Sequence, residues 1–379
     1  MMKVLVFGGT GAMGTSLVSI LAEQGHEIFV TTRRQRKPEN SHIHYIVGNA
    51  HDINFVRNVL RNSSEKHYDI LVDFMVYGSS ELSDRAEELL SGVGQYVFLS
   101  SSRVYADSEL PIREDCPRLL DVCDDVAYLQ SDEYALAKAR EEDILRNSGH
   151  KNWTVIRPYI TYSSERLQLG FWEKEVWLQR AIRGGTIVWF NDIASRITTL
   201  TSGHDVAKGI AALLGNKKAL GEAFHIVSDK SMKWGDVCRL YERVIGEETG
   251  RKPRIVCLDS AAEVAHYIGA DYQWQYDRMY NRVFDSSKID TITGQKTVYV
   301  PMNRGLELAL REFIRGRHEF LHTDWWLEGY LDKLSGESVD LSSIAGIKNK
   351  AKYVLARYTF LVKYKKHVQA LFRLLKGRR

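Results

Sequence analysis

At 379 residues, 44% hydrophobic and 26% charged, the chain has the composition of an ordinary soluble globular protein and the length for two domains, or one large domain with insertions. Its apolar runs fall far short of a membrane span, no signal peptide is expected ahead of the first strand, and Cys116, Cys123, Cys238 and Cys257 form no C-x-x-C pair or metal-spaced cluster. A reduced, cytoplasmic protein without a metal site is expected. The net charge of +4 conceals an asymmetry: residues 345–379 carry eleven Lys or Arg and no Asp or Glu, which leaves the rest of the chain at −7.

Residues 3–14 organise the rest of the chain. The apolar run 4–7 reads as a buried parallel strand, and residues 16–24 have the apolar spacing of a helix. Between them lie Gly8, Gly9, Gly11 and Gly14, in the spacing G-x-x-G-x-x-G. Glycines let the backbone turn tightly and approach a pyrophosphate, and the helix N-terminus offers N–H groups and positive dipole to it. Strand, glycine turn and helix in this order predict a dinucleotide-binding unit.

A second strand is expected at 27–31. Many NAD-binding folds end this strand in a carboxylate that bonds the adenosine ribose; here Thr32 is followed by Arg33 and Arg34. Guanidinium groups pair with a 2′-phosphate, so NADP is favoured over NAD, with a solvated basic turn as the alternative. Strand three, 44–47, leads to Asn49 and Ala50, where Asn49 is a candidate for the adenine edge. A helix around 55–62, a strand at 69–75, a helix at 81–90 and a strand at 95–99 complete an alternation that implies a parallel sheet covered on both faces. Ligands bind at the C-terminal strand ends of such sheets. Besides Gly8, Thr10, Gly11, Ala12, Met13 and Gly14, the expected cofactor set therefore takes in Phe74, Met75, Ser100 and Pro158. A helix at 130–147, a strand at 153–158, a helix at 205–214 and a strand at 223–227 continue the α/β rhythm around an irregular, aromatic-rich interval.

Tyr134 and Lys138 stand at i and i+4 on the helix after strand five, hence on one face. A phenol with its ordinary pKa of ~10 transfers protons poorly at neutral pH. An adjacent ammonium and an oxidised nicotinamide favour the phenolate, and the lysine can also bond the nicotinamide ribose. A hydroxyl from the serine run after strand five would hold the substrate oxygen. The spacing alone is common on exposed helices; its register with the glycine turn and the serines singles it out.

The glycine turn, Ser100-Ser-Ser-Arg-Val-Tyr105, Tyr134-x-x-x-Lys138 and Arg157-Pro158 together resemble the extended short-chain dehydrogenase/reductases, in the branch of nucleotide-sugar epimerases, reductases and dehydratases. His204-Asp-Val-Ala207, Gly221-Glu-Ala-Phe-His225 and Asp285-Ser-Ser-Lys288 follow in that family's order, so the resemblance covers roughly residues 1–318. It implies an α/β fold: a Rossmann-like doubly wound parallel sheet over 1–160, joined again by 200–227, and a smaller substrate lobe from 161–199 and 228–335. The family's catalytic hydroxyl maps to Ser101, with Ser102 in reserve, beside Tyr134 and Lys138. Three departures stand out. Ala106 replaces a glycine, Ser102-Arg103 stand where dehydratases carry Asp-Glu, and Ile160 stands where many members touch the sugar nucleotide with Asn. Dehydration is disfavoured accordingly. Arg196, Arg278 and Arg282 are candidates for a diphosphate, with surface arginines as the plainer reading of each.

Beyond Gly336 the family pattern stops. Apolar or small residues from Ile347 to Leu375 follow a 3/4 spacing broken at Lys365, which predicts one or two basic amphipathic helices over 336–379. Packing on the body or on a second subunit is the favoured use, an anionic membrane surface the next, and nucleic acid the least favoured. The functional expectation is an NAD(P)-dependent epimerase or reductase acting on a nucleotide-activated sugar through Ser101, Tyr134 and Lys138, as a homodimer in the cytoplasm or peripherally at a membrane. The rival is a non-catalytic nucleotide-sensing or RNA-binding protein on the same fold.

Overall fold

The computed structural model describes residues 1–61, 67–316 and 319–359. They fall into two compact units, the first formed by Met1–Arg166, Ile197–Met232 and Tyr280–Leu306, the second by Leu167–Arg196, Lys233–Met279 and the described residues from Glu307 onward.

The first unit is built on strands β1 (Lys3–Phe7), β2 (Glu27–Thr32), β3 (Ile43–Val47), β4 (Tyr68–Asp73), β5 (Val93–Leu99), β6 (Trp153–Arg157) and β7 (Glu222–His225). They pair in parallel in the order β7-β6-β5-β4-β1-β2-β3. The order reverses at β1, which puts a ligand crevice at its carboxyl end. Side chains alternate across the sheet. Val4 and Val6 enter a core with Leu17 and Leu21 of α1 (Ala12–Glu23) and with Val206 and Ile210 of a later helix, Gly203–Leu213. Leu5 and Phe7 enter the opposite core with Leu71, Tyr96 and Phe98. Both faces are thus covered, as a parallel sheet requires.

Local side-chain chemistry moves several expected boundaries. The strand expected to reach residue 75 ends at Asp73, whose buried carboxylate accepts from the backbone N–H of Met75 at 2.9 Å and turns the chain. The helix expected over 81–90 is two, Ser79–Ser83 and Ala86–Ser91. The break is at Arg85, drawn inward so that its guanidinium donates to the carbonyls of Ala50 and His51, each at 3.0 Å. The helix expected from residue 130 starts later, as α2 (Tyr134–Asn147), because the Glu133 side chain caps it by accepting from Ala135 N–H at 2.8 Å.

In the second unit, the strand Thr186–Phe190 pairs in parallel with Arg254–Leu258, and Trp177 stacks on Tyr241 with ring centres 4.5 Å apart. Buried Arg180 donates to Glu328 and Asp332, each at 2.7 Å, which ties the helix Trp325–Ser335 to this unit. The helix Ile347–Tyr358 packs on that helix in turn: Tyr353 and Ala356 are fully buried, the Tyr353 hydroxyl donates to Asp332, and a Cβ on Gly329 would stand 2.5 Å from the Tyr353 carbonyl oxygen. The start of the basic segment is therefore an integral part of this unit. The amphipathic continuation through residues 360–379 lies outside the described residues. No helix among the described residues is long and apolar enough to cross a membrane.

Candidate active site

The glycine turn has the geometry of a phosphate cradle. Gly8 adopts φ +69°, the left-handed region, and the Gly11 N–H donates back to the Gly8 carbonyl at 3.2 Å. A Cβ on Gly14 would lie 2.6 Å from Gly9 Cα, so the absence of side chains lets α1 approach the turn. Gly11 is the N-cap of α1, makes no side-chain cap, and no acidic residue occupies the first helical turn. The helix N-terminus that opens at Ala12 is thus unshielded by carboxylates, and the turn fits a pyrophosphate. Gly14→Ala should force the turn and helix apart, since the clashing atoms are backbone. A loss of about 1–3 kcal/mol in stability, read as a shifted denaturant midpoint, together with loss of dinucleotide binding, is the expected result.

Around this turn the structure gathers part of the expected set. Phe74 and Met75 lie against it, with Phe74 Cβ 3.2 Å and Met75 Sδ 3.5 Å from where a Gly8 Cβ would stand. Thr10 and Met13 are half-buried beside it. At the end of β2 the Arg33 and Arg34 side chains are exposed, and Thr32 Oγ1 folds the turn by donating to the Arg34 carbonyl at 3.0 Å. Asn49 is exposed, but its side-chain oxygen accepts from His51 N–H at 3.2 Å, while Ala50 is buried.

The serine run extends β5 alongside β6: Ser100 N–H bonds the Ile156 carbonyl at 2.7 Å and Ser102 N–H the Pro158 carbonyl at 2.8 Å. Alternation then separates the three hydroxyls. Ser100 donates to Glu142 at 2.7 Å and Ser102 to the Arg157 carbonyl at 2.7 Å, both deep in the protein. Ser100, expected on the cofactor side, has its hydroxyl committed to this internal bond, and the reserve hydroxyl Ser102 is committed likewise. Ser101 is the residue between them, and its Oγ accepts from Arg103 N–H at 3.2 Å. Arg103 also places its guanidinium 5.3 Å from the centre of the Tyr134 ring and donates to Glu133 at 2.6 Å. One residue thereby links the serine to the start of α2. Tyr134, in the first turn, is about a third exposed at 36%. Lys138, one turn on, is buried and ion-paired with Glu141 at 2.8 Å.

Behind this arrangement lies a network not anticipated from the sequence. Arg157 donates to both oxygens of the fully buried Glu142, at 2.8 and 2.6 Å, and to the Tyr105 hydroxyl at 2.9 Å. Burial pushes the Glu142 carboxyl up, but the Arg157 guanidinium, Ser100 and Arg146 outweigh it and hold it below the ordinary range. The signal was present in Lys138-x-x-Glu141-Glu142, carboxylates three and four residues beyond the lysine. Two of the three diphosphate candidates are not surface arginines: Arg278 pairs with Asp277 and donates to the Gly170 carbonyl, while Arg282 donates to the carbonyl of Tyr105, both fully buried. Their guanidinium groups serve internal bonds. Arg196 is half-buried. Ile160 is buried in a short strand paired with 200–202.

Comparison with known proteins places this geometry in context. The sequence pattern of the NAD dependent epimerase/dehydratase family matches residues 4–226. The chain is similar to the chloroplast stem-loop binding protein of 41 kDa b of Arabidopsis thaliana, 27% identical over 242 residues, which span 60% of this chain and only 59% of the plant protein. Among solved structures it resembles an epimerase of Methanothermobacter thermautotrophicus, with TM-score 0.61 and 18% identity over 84% of this chain and 96% of that one. It also resembles the UDP-glucuronic acid 4-epimerase of Bacillus cereus, solved with UDP-glucuronic acid and NAD, with TM-score 0.60 and 17% identity over 84% of this chain and 100% of that one. At these identities the structural likeness is one of fold.

Proposed function

The chain belongs to the NAD dependent epimerase/dehydratase family, and from that premise we propose that it is a nicotinamide-dependent epimerase or reductase of a nucleotide-activated sugar. The observation that supports the reading is the pair of contacts made by Arg103, whose backbone N–H bonds Ser101 Oγ just after β5 and whose guanidinium lies 5.3 Å from the centre of the Tyr134 ring. Gly8, Gly11 and Gly14 with the α1 N-terminus would hold the pyrophosphate, Phe74 and Met75 would flank the dinucleotide, and Lys138 would orient its ribose. A nicotinamide bound there supplies acceptance and return of a hydride. Ser101 holds the oxygen of the reacting sugar carbon, and Tyr134 takes or gives the hydroxyl proton. Residues 161–199 and 228–335 are assigned to recognition of the sugar nucleotide. Ser102 and Arg103 stand in place of the acidic pair, and the Glu133 carboxylate beside Tyr134 is committed to Arg103 and to the Ala135 N–H, so dehydration is not proposed.

The exposed arginines after β2 support NADP over NAD. A charge-assisted bond to the 2′-phosphate is worth ~1.5–3 kcal/mol, and solvent exposure favours the lower end, roughly tenfold in affinity. NADP should bind about tenfold tighter than NAD, and Arg33→Ala should narrow that gap; calorimetric titration of both dinucleotides with both proteins checks it, and equal affinities in the unmodified protein would refute the assignment.

The plant relative, named for binding a stem-loop, favours one second reading: stem-loop nucleic acid held by the basic segment 345–379. Filter binding of a stem-loop across a salt series separates the two readings. Affinity in that case falls steeply with salt and drops when the residues beyond Thr359, which carry seven of the eleven basic side chains, are removed, whereas dinucleotide binding at the glycine turn varies only weakly with salt and survives that truncation.

A further inference from the structure

Beyond Tyr134, α2 carries a buried ion pair that the proton exchange at the tyrosine does not use. Lys138 is 1% and Glu141 0% exposed, and Lys138 Nζ donates to Glu141 Oε2 at 2.8 Å while lying 4.6 Å from the centre of the Phe98 ring. The other carboxylate oxygen, Glu141 Oε1, is buried with no hydrogen-bond partner among the described residues. Along α2 the lysine sits between its two neighbours: Tyr134 is a turn before it and Glu141 a turn after. The ammonium is thus held by a residue on the far side of it from the tyrosine in sequence, one turn along the same helix.

The charges around Glu141 make the pair one-sided. Asp73, at the end of β4, is fully buried and accepts from the hydroxyls of Tyr77 at 2.9 Å and Tyr96 at 3.0 Å and from Met75 N–H. Asp132, ahead of α2, accepts from Ser79 at 3.0 Å and Arg140 at 3.2 Å. Both carboxylates act on Glu141 with the same sign, against the single contact with Lys138. Burial, reinforced by these acids and opposed by Lys138, pushes the Glu141 carboxyl up to about 7. An orphaned, desolvated carboxylate oxygen is costly, and protonation removes that cost once the ammonium departs.

We propose that Glu141 is a proton-accepting latch on Lys138: when the ribose hydroxyls of a dinucleotide engage the ammonium, Lys138 releases Glu141, and Glu141 takes up one proton from solvent. The step balances simply. An O–H bond forms at Glu141 with a proton supplied by the buffer acid, and Lys138 keeps its three protons. Glu141 is a positioning residue that acts through Lys138, and the inference rests on the dinucleotide site of the proposed function. It sets a sign for the pH dependence. Glu141 is ionised above its free-protein value and protonated in the complex, so affinity falls as pH rises across that interval, by up to about tenfold per pH unit for one proton.

Calorimetric titration of the intact protein with NADP and with NAD at about pH 8, in two buffers of different ionisation heat, counts the protons taken up on binding. The expected result is a net uptake approaching one, and Glu141→Gln should abolish it and flatten the dependence of affinity on pH. Binding without uptake in the unmodified protein overturns the latch and leaves the dinucleotide site standing, whether or not the variant folds. Uptake unchanged in a folded Glu141→Gln protein also overturns it. Absence of binding heat with both dinucleotides in both buffers overturns the site and the latch together.

Discussion

Tyr134→Phe should lower turnover by ~10²–10⁴, the range contributed by a positioned general acid or base, while leaving the fold and dinucleotide affinity intact. The substitution removes one oxygen and keeps the ring, so the contact with the Arg103 guanidinium, 5.3 Å from the ring centre, survives. The hydroxyl is at the partly exposed start of α2 and no core bond depends on it. Initial rates together with dinucleotide titration separate the two effects: activity lost with affinity retained is the expected pattern. Parallel loss of both would mean that the tyrosine shapes the site rather than moving a proton.

Arg157→Met should be strongly destabilising. The side chain is 1% exposed, bonds both oxygens of Glu142, and reaches the Tyr105 hydroxyl from the end of β6. Methionine roughly fills the volume but leaves Glu142 buried with Ser100 at 2.7 Å and the longer contacts to Arg146 and Arg118 at 3.2 and 3.5 Å. Removing one partner of such a pair costs about 3–5 kcal/mol, measurable as a large fall in denaturant midpoint at neutral pH. The pH dependence has a definite sign. Glu142 is held below its ordinary value in the folded protein, so its contribution is complete above the unfolded carboxyl value and is lost as pH falls through the folded one. The difference between Arg157→Met and the unmodified protein should therefore be widest near neutrality and narrow on acidification. A difference that grows toward acid would contradict the assignment of the charge to Glu142.

The α/β alternation and the glycine turn were legible in the sequence because they are local. Apolar runs of strand length, glycines at fixed offsets and an i, i+4 pair each depend on neighbours along the chain. What escaped depended on contacts across it. Arg85 breaks an otherwise continuous helix because carbonyls 34 and 35 residues away need donors. The three serines look equivalent in sequence, and only the pairing of β5 with β6 decides that Ser100 and Ser102 turn inward. Arg278 and Arg282 read as surface charges because their carbonyl partners, Gly170 and Tyr105, lie more than a hundred residues away. Change of charge and end of family resemblance marked the basic segment as separate, yet Tyr353 and Ala356 supply the apolar stripe by which its first helix joins the second unit.

The central claim, hydride chemistry on a nucleotide-activated sugar at the Ser101, Tyr134 and Lys138 site, is tested most directly by mass spectrometry and proton NMR of a panel of UDP-, dTDP- and GDP-sugars. Each is incubated with the purified full chain and either NADP or NAD, in oxidised and reduced form, beside Tyr134→Phe as the matched control. The account predicts conversion of at least one sugar nucleotide to an epimer or a reduced product by the unmodified protein, and its suppression in the variant. Conversion undiminished in Tyr134→Phe, or no conversion of any member with either dinucleotide, would contradict it.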